Sequence, residues 1–173
     1  MIRKADYKDL DAVLEVIQDA KDLFKSKNSL QWQDKNGYPN RKTMEKDVAD
    51  GALYVSVTDG KVTAVCSLGR FGEPTYNSIY EGQWLNDHPY YVIHRLAVKK
   101  EFYGRGLAKE ILDHLEQISL SEGISDLRCD TAIENVPMND LLLNRGYRKC
   151  GVIYLTRSDV LEKKRIAYHK TSH

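Results

Sequence analysis

From Tyr91 the chain runs through the strand-like segment Ile93-His94-Arg95-Leu96-Ala97-Val98, crosses Tyr103-Gly104-Arg105-Gly106-Leu107-Ala108-Lys109, and enters a long helical pattern. Leu107, Ile111, Leu112, Leu115 and Ile118 recur on one helix face, so a strand hands over to an amphipathic helix that needs a sheet to cover. The first amides of that helix lack intrahelical partners and point outward, which makes the junction a candidate anion site. Glycine at 104 and 106 lets a phosphate reach the backbone without meeting a β-carbon, and small Ala108 lets the helix pack close to its strand. The same residues also suit an ordinary strand-to-helix turn. A Walker A loop is excluded, because Lys109 sits between Ala108 and Glu110 where that motif needs Gly-Lys-Ser or Gly-Lys-Thr. A Rossmann-like dinucleotide fingerprint would use Asp130 as its ribose-binding acid, but Lys109 replaces its third glycine.

The remaining pattern alternates short strands and helices. Ile2 to Ala5 predicts a strand, and Asp6 caps a helix whose Leu10, Val13, Leu14, Ile17 and Phe24 share a face and which ends near Asn28. A loop with large aromatics follows to Pro39, then a second helix over 41–49. Leu53, Val55 and Val57 alternate with polar neighbours, Asp59-Gly60 is a hairpin turn, and Val62 to Leu68 is its return strand. That antiparallel pair disfavours the dinucleotide reading. Residues 71–89 form a breaker-rich loop with room for one short helix. Ser125 to Cys129 predicts a strand, Asn135 with Pro137 starts a helix that Gly146 stops, and 147–156 and 165–170 predict two final strands.

A chain of 173 residues fits one domain over 1–173 without disulfide staples. Its 26 Lys plus Arg against 25 Asp plus Glu give a net charge of +1, so no basic field recruits nucleic acid or an anionic membrane. Cys66, Cys129 and Cys150 are widely spaced and odd in number, which suits reduced thiols in a cytoplasm better than a disulfide framework or a zinc site. No signal-peptide stretch and no membrane-length apolar run is present, so a soluble cytoplasmic protein is expected.

Two blocks resemble the GNAT superfamily of acetyl-CoA-dependent N-acetyltransferases. Tyr103 to Ala108 matches the spacing of its Gln/Arg-x-x-Gly-x-Gly/Ala pattern behind Leu96-Ala97-Val98, and Asn135-x-x-Met138-x-x-Leu141 with Gly146-Tyr147 is similar to its Asn-x-x-Ala-x-x-Leu-Tyr and closing Gly-Phe. The order of elements agrees over nearly the whole chain. The resemblance implies an α/β (α+β) fold, a mixed, mainly antiparallel sheet of about six to seven strands flanked by helices. It implies acetyl-CoA as donor, with Leu96, Ala97 and Val98 along pantetheine, Tyr103, Gly104, Arg105, Gly106, Leu107, Ala108 and Lys109 around the pyrophosphate, and Asn135 on the cofactor arm. It implies direct transfer to an amine of a small molecule or peptide without a metal, and leaves a homodimer open. Two positions depart from the pattern. Tyr103 replaces Gln or Arg, and Leu142 stands where many relatives have the tyrosine that protonates the departing thiolate. Water, Tyr147 or Tyr154 would have to substitute.

Acyl transfer to an amine also needs a proton acceptor, and His94 and Asp130 are the candidates on the two strands beside the cofactor. Plain alternation puts His94 on the face of Leu96 and Val98, where it could equally be a buried structural histidine, and Asp130 could equally cap a turn. Arg95 points the other way and, like Arg105, is either solvated surface or a charge beside a phosphate. Trp32, Tyr38, Tyr80, Trp84 and Tyr90 either wall an acceptor pocket or pack their own loops, and Glu73, Glu81 or Glu134 could draw a cationic amine. From a different class, a non-catalytic acyl-CoA sensor would account for the missing tyrosine. The Rossmann-like reading predicts affinity for NAD instead of coenzyme A.

Overall fold

The computed structural model describes residues 1–172. Its strands are Ile2–Lys4 (β1), Leu53–Thr58 (β2), Lys61–Gly69 (β3), Tyr90–Val98 (β4), Asp126–Thr131 (β5), Arg148–Tyr154 (β6) and Lys164–Thr171 (β7). Its helices are Leu10–Ser26 (α1), Arg41–Ala49 (α2), Leu107–Ser121 (α3) and Val136–Asn144 (α4). The strands form one seven-stranded sheet in the order β1-β2-β3-β4-β5-β7-β6. Among the described residues β4 with β5 is the one parallel pair, so the sheet is not the parallel doubly wound sheet that a dinucleotide fold requires. No helix among them is long and apolar enough to cross a membrane.

Local chemistry explains the boundaries. Asp6 accepts from the Lys8 amide and closes a capping box around a 3-10 turn, from which α1 continues. Asn40 does the same for α2. Asp59 and Gly60 both have positive φ, 49° and 76°, as a two-residue hairpin turn with the twist of its strands needs. Asn135 caps α4 through the Met138 amide, with a proline in the first turn. The long loop before β4 holds a single 3-10 turn, Pro74–Asn77, capped by Glu73. β5 extends to Thr131, so Asp130 lies inside a strand and caps no turn.

The sheet is covered on both faces. Ile111, Leu112 and Leu115 of α3 and Leu142 of α4 pack with Tyr54, Cys66 and Ile93. Val13, Val16 and Ile17 of α1 and Met44 of α2 pack with Leu53, Val55, Val65 and Ala97. Neighbours 53 and 54, or 65 and 66, thus point to opposite helix layers, as pleating dictates.

β4 interrupts that alternation. Its register with β3 runs Val65↔Ala97 and then Ser67↔His94, so β4 carries an extra residue, and Arg95 takes φ 53°. The bulge brings Leu96 onto the α3 side with Ile93, while Ala97 faces α1. His94 therefore does not share the face of Leu96, as unbroken alternation had it. Ser67, directly across from His94, bonds Asp47 of α2, which also holds Arg95. His94 and Arg95 thus lie on the α2 side together.

Candidate active site

β4 and β5 pair only at Tyr90↔Asp126, Tyr91↔Leu127 and Val92↔Arg128. Beyond Val92 the two strands part, and the β5-facing edge of β4 has no strand beside it. A cleft of about 1210 Å³ opens there. It is bounded by Ile93 to Val98 on one side, Cys129, Asp130 and Thr131 on the other, and the start of α3 at one end.

That end is a cluster of main-chain donors. The Tyr103 amide is used by the Lys100 carbonyl and the Glu110 amide by Gly106, but the amides of residues 104–109 donate to no acceptor among the described residues. Gly104 and Gly106 have φ 75° and 79°, a conformation that costs a side-chain-bearing residue about 1–2 kcal/mol. A β-carbon at either position would meet nothing within 4 Å, so the space in front of the turn is open. Free amides at a helix N-terminus facing open space suit an anion.

Leu96, Ala97, Val98, Tyr103, Gly104, Gly106, Leu107, Ala108 and Asn135 all line the cleft. Arg105 and Lys109 are engaged elsewhere, the first over the Phe102 ring at 4.8 Å and the second with Asp113 at 2.9 Å. Asn135 spends its oxygen on the Met138 amide and its amide nitrogen on Thr131 Oγ1 at 3.2 Å. Leu142 is fully buried beneath α3, and the cleft-lining residues of α4 are Pro137, Met138 and Leu141. Tyr147 is buried in the same core and Tyr154 is half exposed against Tyr80, so neither hydroxyl borders the cleft.

The far end is polar. His94 Nε2 stands 3.7 Å from Glu73 Oε2. Burial, and then the charges of Arg95 and Arg157, push its imidazole down to about 3, so it is neutral at ordinary pH. Asp130 accepts a 2.6 Å bond from the Tyr76 hydroxyl, yet burial holds its carboxyl above the usual range. Arg95 is half-buried and grips Asp47 through two bonds of 2.7 and 2.8 Å while its third nitrogen meets Tyr38 Oη at 3.0 Å. Burial pushes the Cys66 thiol up to about 12 and Cys129 well above its ordinary value, so neither is a thiolate nucleophile.

The aromatic residues divide. Trp32 and Tyr38 line the cleft, whereas Tyr80 bridges to Val152, and Trp84 and Tyr90 sandwich Arg128 at 4.3 and 4.0 Å outside it. Asp47, Arg157 and Arg165 were not singled out from sequence, although all three line the cleft. Asp47 left a trace there, a carboxylate three residues beyond Met44 on the buried face of a helix. No group of three or more His, Cys, Asp or Glu among the described residues is disposed to hold a metal.

Comparison with known proteins finds relatives of this fold. The model of the Acetyltransferase (GNAT) family matches residues 17–147. The crystal structure of a GNAT-family acetyltransferase from Streptococcus agalactiae is 35% identical with a TM-score of 0.89, over 100% of this chain and 95% of that one. A Staphylococcus aureus protein provisionally described as an acetyltransferase is 26% identical with a TM-score of 0.74, over 99% and 98%. A GNAT-family acetyltransferase from Listeria monocytogenes shares the fold at 18% identity and a TM-score of 0.74, over 99% and 94%. No curated protein matches the chain.

Proposed function

The chain belongs to the GNAT acetyltransferase family, and from that premise we propose that it moves an acetyl group from acetyl-CoA directly to an amine of a small molecule or peptide. The observation that carries the donor is the row of free amides at 104–109, on glycines whose left-handed backbone leaves the approach open. These fit a diphosphate, and the unpaired edge of β4 fits an extended amide-bearing arm leading away from it. Acetyl-CoA supplies the activated thioester.

The chain's own residues do the rest. Unpaired main-chain donors of β4 beside the thioester oxygen stabilise the charge it gains in the transition state. His94 is too weakly basic for the proton of an ammonium, which leaves Asp130, with its raised pKa, as the better matched acceptor. Asp130 takes one proton to free the amine. The nitrogen–carbon bond then forms as the carbon–sulfur bond breaks, and the second amine proton leaves with the sulfur. A thiol with a pKa of about 8–9 departs without a protein acid, so Leu142 is no obstacle. The protonated state of Cys66 and Cys129 favours direct attack over an acyl-enzyme.

The test pairs binding with turnover. Thiol release from acetyl-CoA is expected with at least one member of an amine panel, and coenzyme A should bind in a calorimetric titration. Gly106→Val should weaken that binding about tenfold or more, since it blocks the anion's approach and strains the turn. Unchanged affinity would remove the donor site. Tight binding with no release from any amine would favour the sensor reading.

A further inference from the structure

Four arginines line the cleft, and three have carboxylate partners. Arg70 pairs with Glu122 at 2.8 Å, Arg95 with Asp47 at 2.7 Å and Arg157 with Asp34 at 3.3 Å. Arg165 does not. It lies on β7 with only 3% of its surface exposed, and its Nη1 donates to the carbonyls of Glu162 and Lys164. Its Nε and Nη2 make no hydrogen bond, and no carboxylate stands within ion-pairing distance among the described residues. Asp130, Glu134 and Asp34 attract it from farther off while Arg157 opposes. Burying a guanidinium with two of its nitrogens idle is costly unless something pairs with it.

Two carboxylates in the same cleft lack a cation in turn. Asp130 has only the Tyr76 hydroxyl, and Glu73 spends Oε1 on the Thr75 amide while Oε2 faces neutral His94 at 3.7 Å. Apart from the exposed lysines Lys27 and Lys42, the vacant charges of the cleft are therefore one positive and two negative.

We propose that the acceptor is a small zwitterion, an amine that carries its own carboxylate or phosphonate, whose anion pairs with Arg165 while its ammonium lies by Asp130 and Glu73. This rests on the acetyltransferase reading above. Polyamines are disfavoured because a second cation would meet Arg157 and Arg165. Peptide N-termini are disfavoured because the neighbouring carboxylate has become an amide.

The experiment compares matched acceptors in the thiol-release assay: free amino acids, the same amino acids as carboxamides, aminoalkyl phosphonates, and spermidine. An amino acid should exceed its carboxamide by about tenfold to a hundredfold in kcat/KM, and the phosphonates tell which anion is preferred. In Arg165→Gln the KM of the acid should rise while the carboxamide is unaffected, so the preference collapses; Arg165→Lys should keep part of it. Carboxamides or spermidine matching the acids, or Arg165→Gln slowing acid and amide alike, would overturn the proposal. If Arg165→Gln fails to fold, the wild-type pairs decide alone. Calorimetry of acid against carboxamide with coenzyme A present separates the two readings. Binding that favours the acid, without thiol release from any amine, removes the transferase reading and leaves the zwitterion site, whereas binding blind to the carboxylate removes the site.

Discussion

A histidine that titrates near 3 in the folded protein, against 6.5 for a free imidazole, couples stability to acid. The unfolded chain takes up the proton first. The contribution of neutral His94 is therefore full above 6.5 and is lost as pH falls towards about 3. In His94→Asn the decline of Tm between pH 6.5 and the onset of acid unfolding should be shallower than in the wild type; equal slopes would mean that His94 is not held neutral. At this scale the sequence made some residues legible and hid others. Gly104 and Gly106 announce themselves because a turn of their kind is local. Arg165 does not, because its meaning comes from partners on distant segments that fail to reach it.

The bulge in β4 is the element on which the site depends. It is pinned by Asp47, which bonds Arg95 twice and accepts from Ser67 at 2.6 Å, joining α2 to two strands. Asp47→Ala would leave a half-buried guanidinium and a buried hydroxyl without their shared acceptor, at a cost of about 3 kcal/mol. The expected fall in Tm is on the order of 10 °C. Asp47→Ala with Arg95→Met should recover much of the Tm but not of kcat/KM, because the apolar pair restores packing without holding the bulge. Full recovery of turnover would show that the bulge needs no such pin. Helices, hairpin and the strand segments along the chain were visible in apolar spacing and turn residues, but the insertion of β7 between β5 and β6 was not. The bulge was not, since one added residue leaves Ile93, Leu96 and Ala97 apolar and only changes which helix each of them meets.

Across the whole molecule, the individual strands and amphipathic helices follow from local patterns, whereas their layering on both faces of a seven-stranded, mainly antiparallel sheet was expected from the family resemblance. The polar end of the cleft draws on α2, the loop before β4, β5 and β7, which is why its charges could not be foreseen from neighbours in sequence. The parting of β4 from β5 has a mechanical consequence as well. Tyr90, Tyr91 and Val92 are the rungs that fasten a leaf of four strands to a leaf of three, and past them the seam is unsewn. A donor threaded along that gap would serve as the missing thread, lending both leaves hydrogen bonds the polypeptide itself omits. Saturating coenzyme A should accordingly slow amide hydrogen exchange along residues 93–98 and raise Tm, whereas protection confined to residues 104–109 would mean the leaves stay loose. The enzyme would then be at its most rigid only while it holds what it is about to consume.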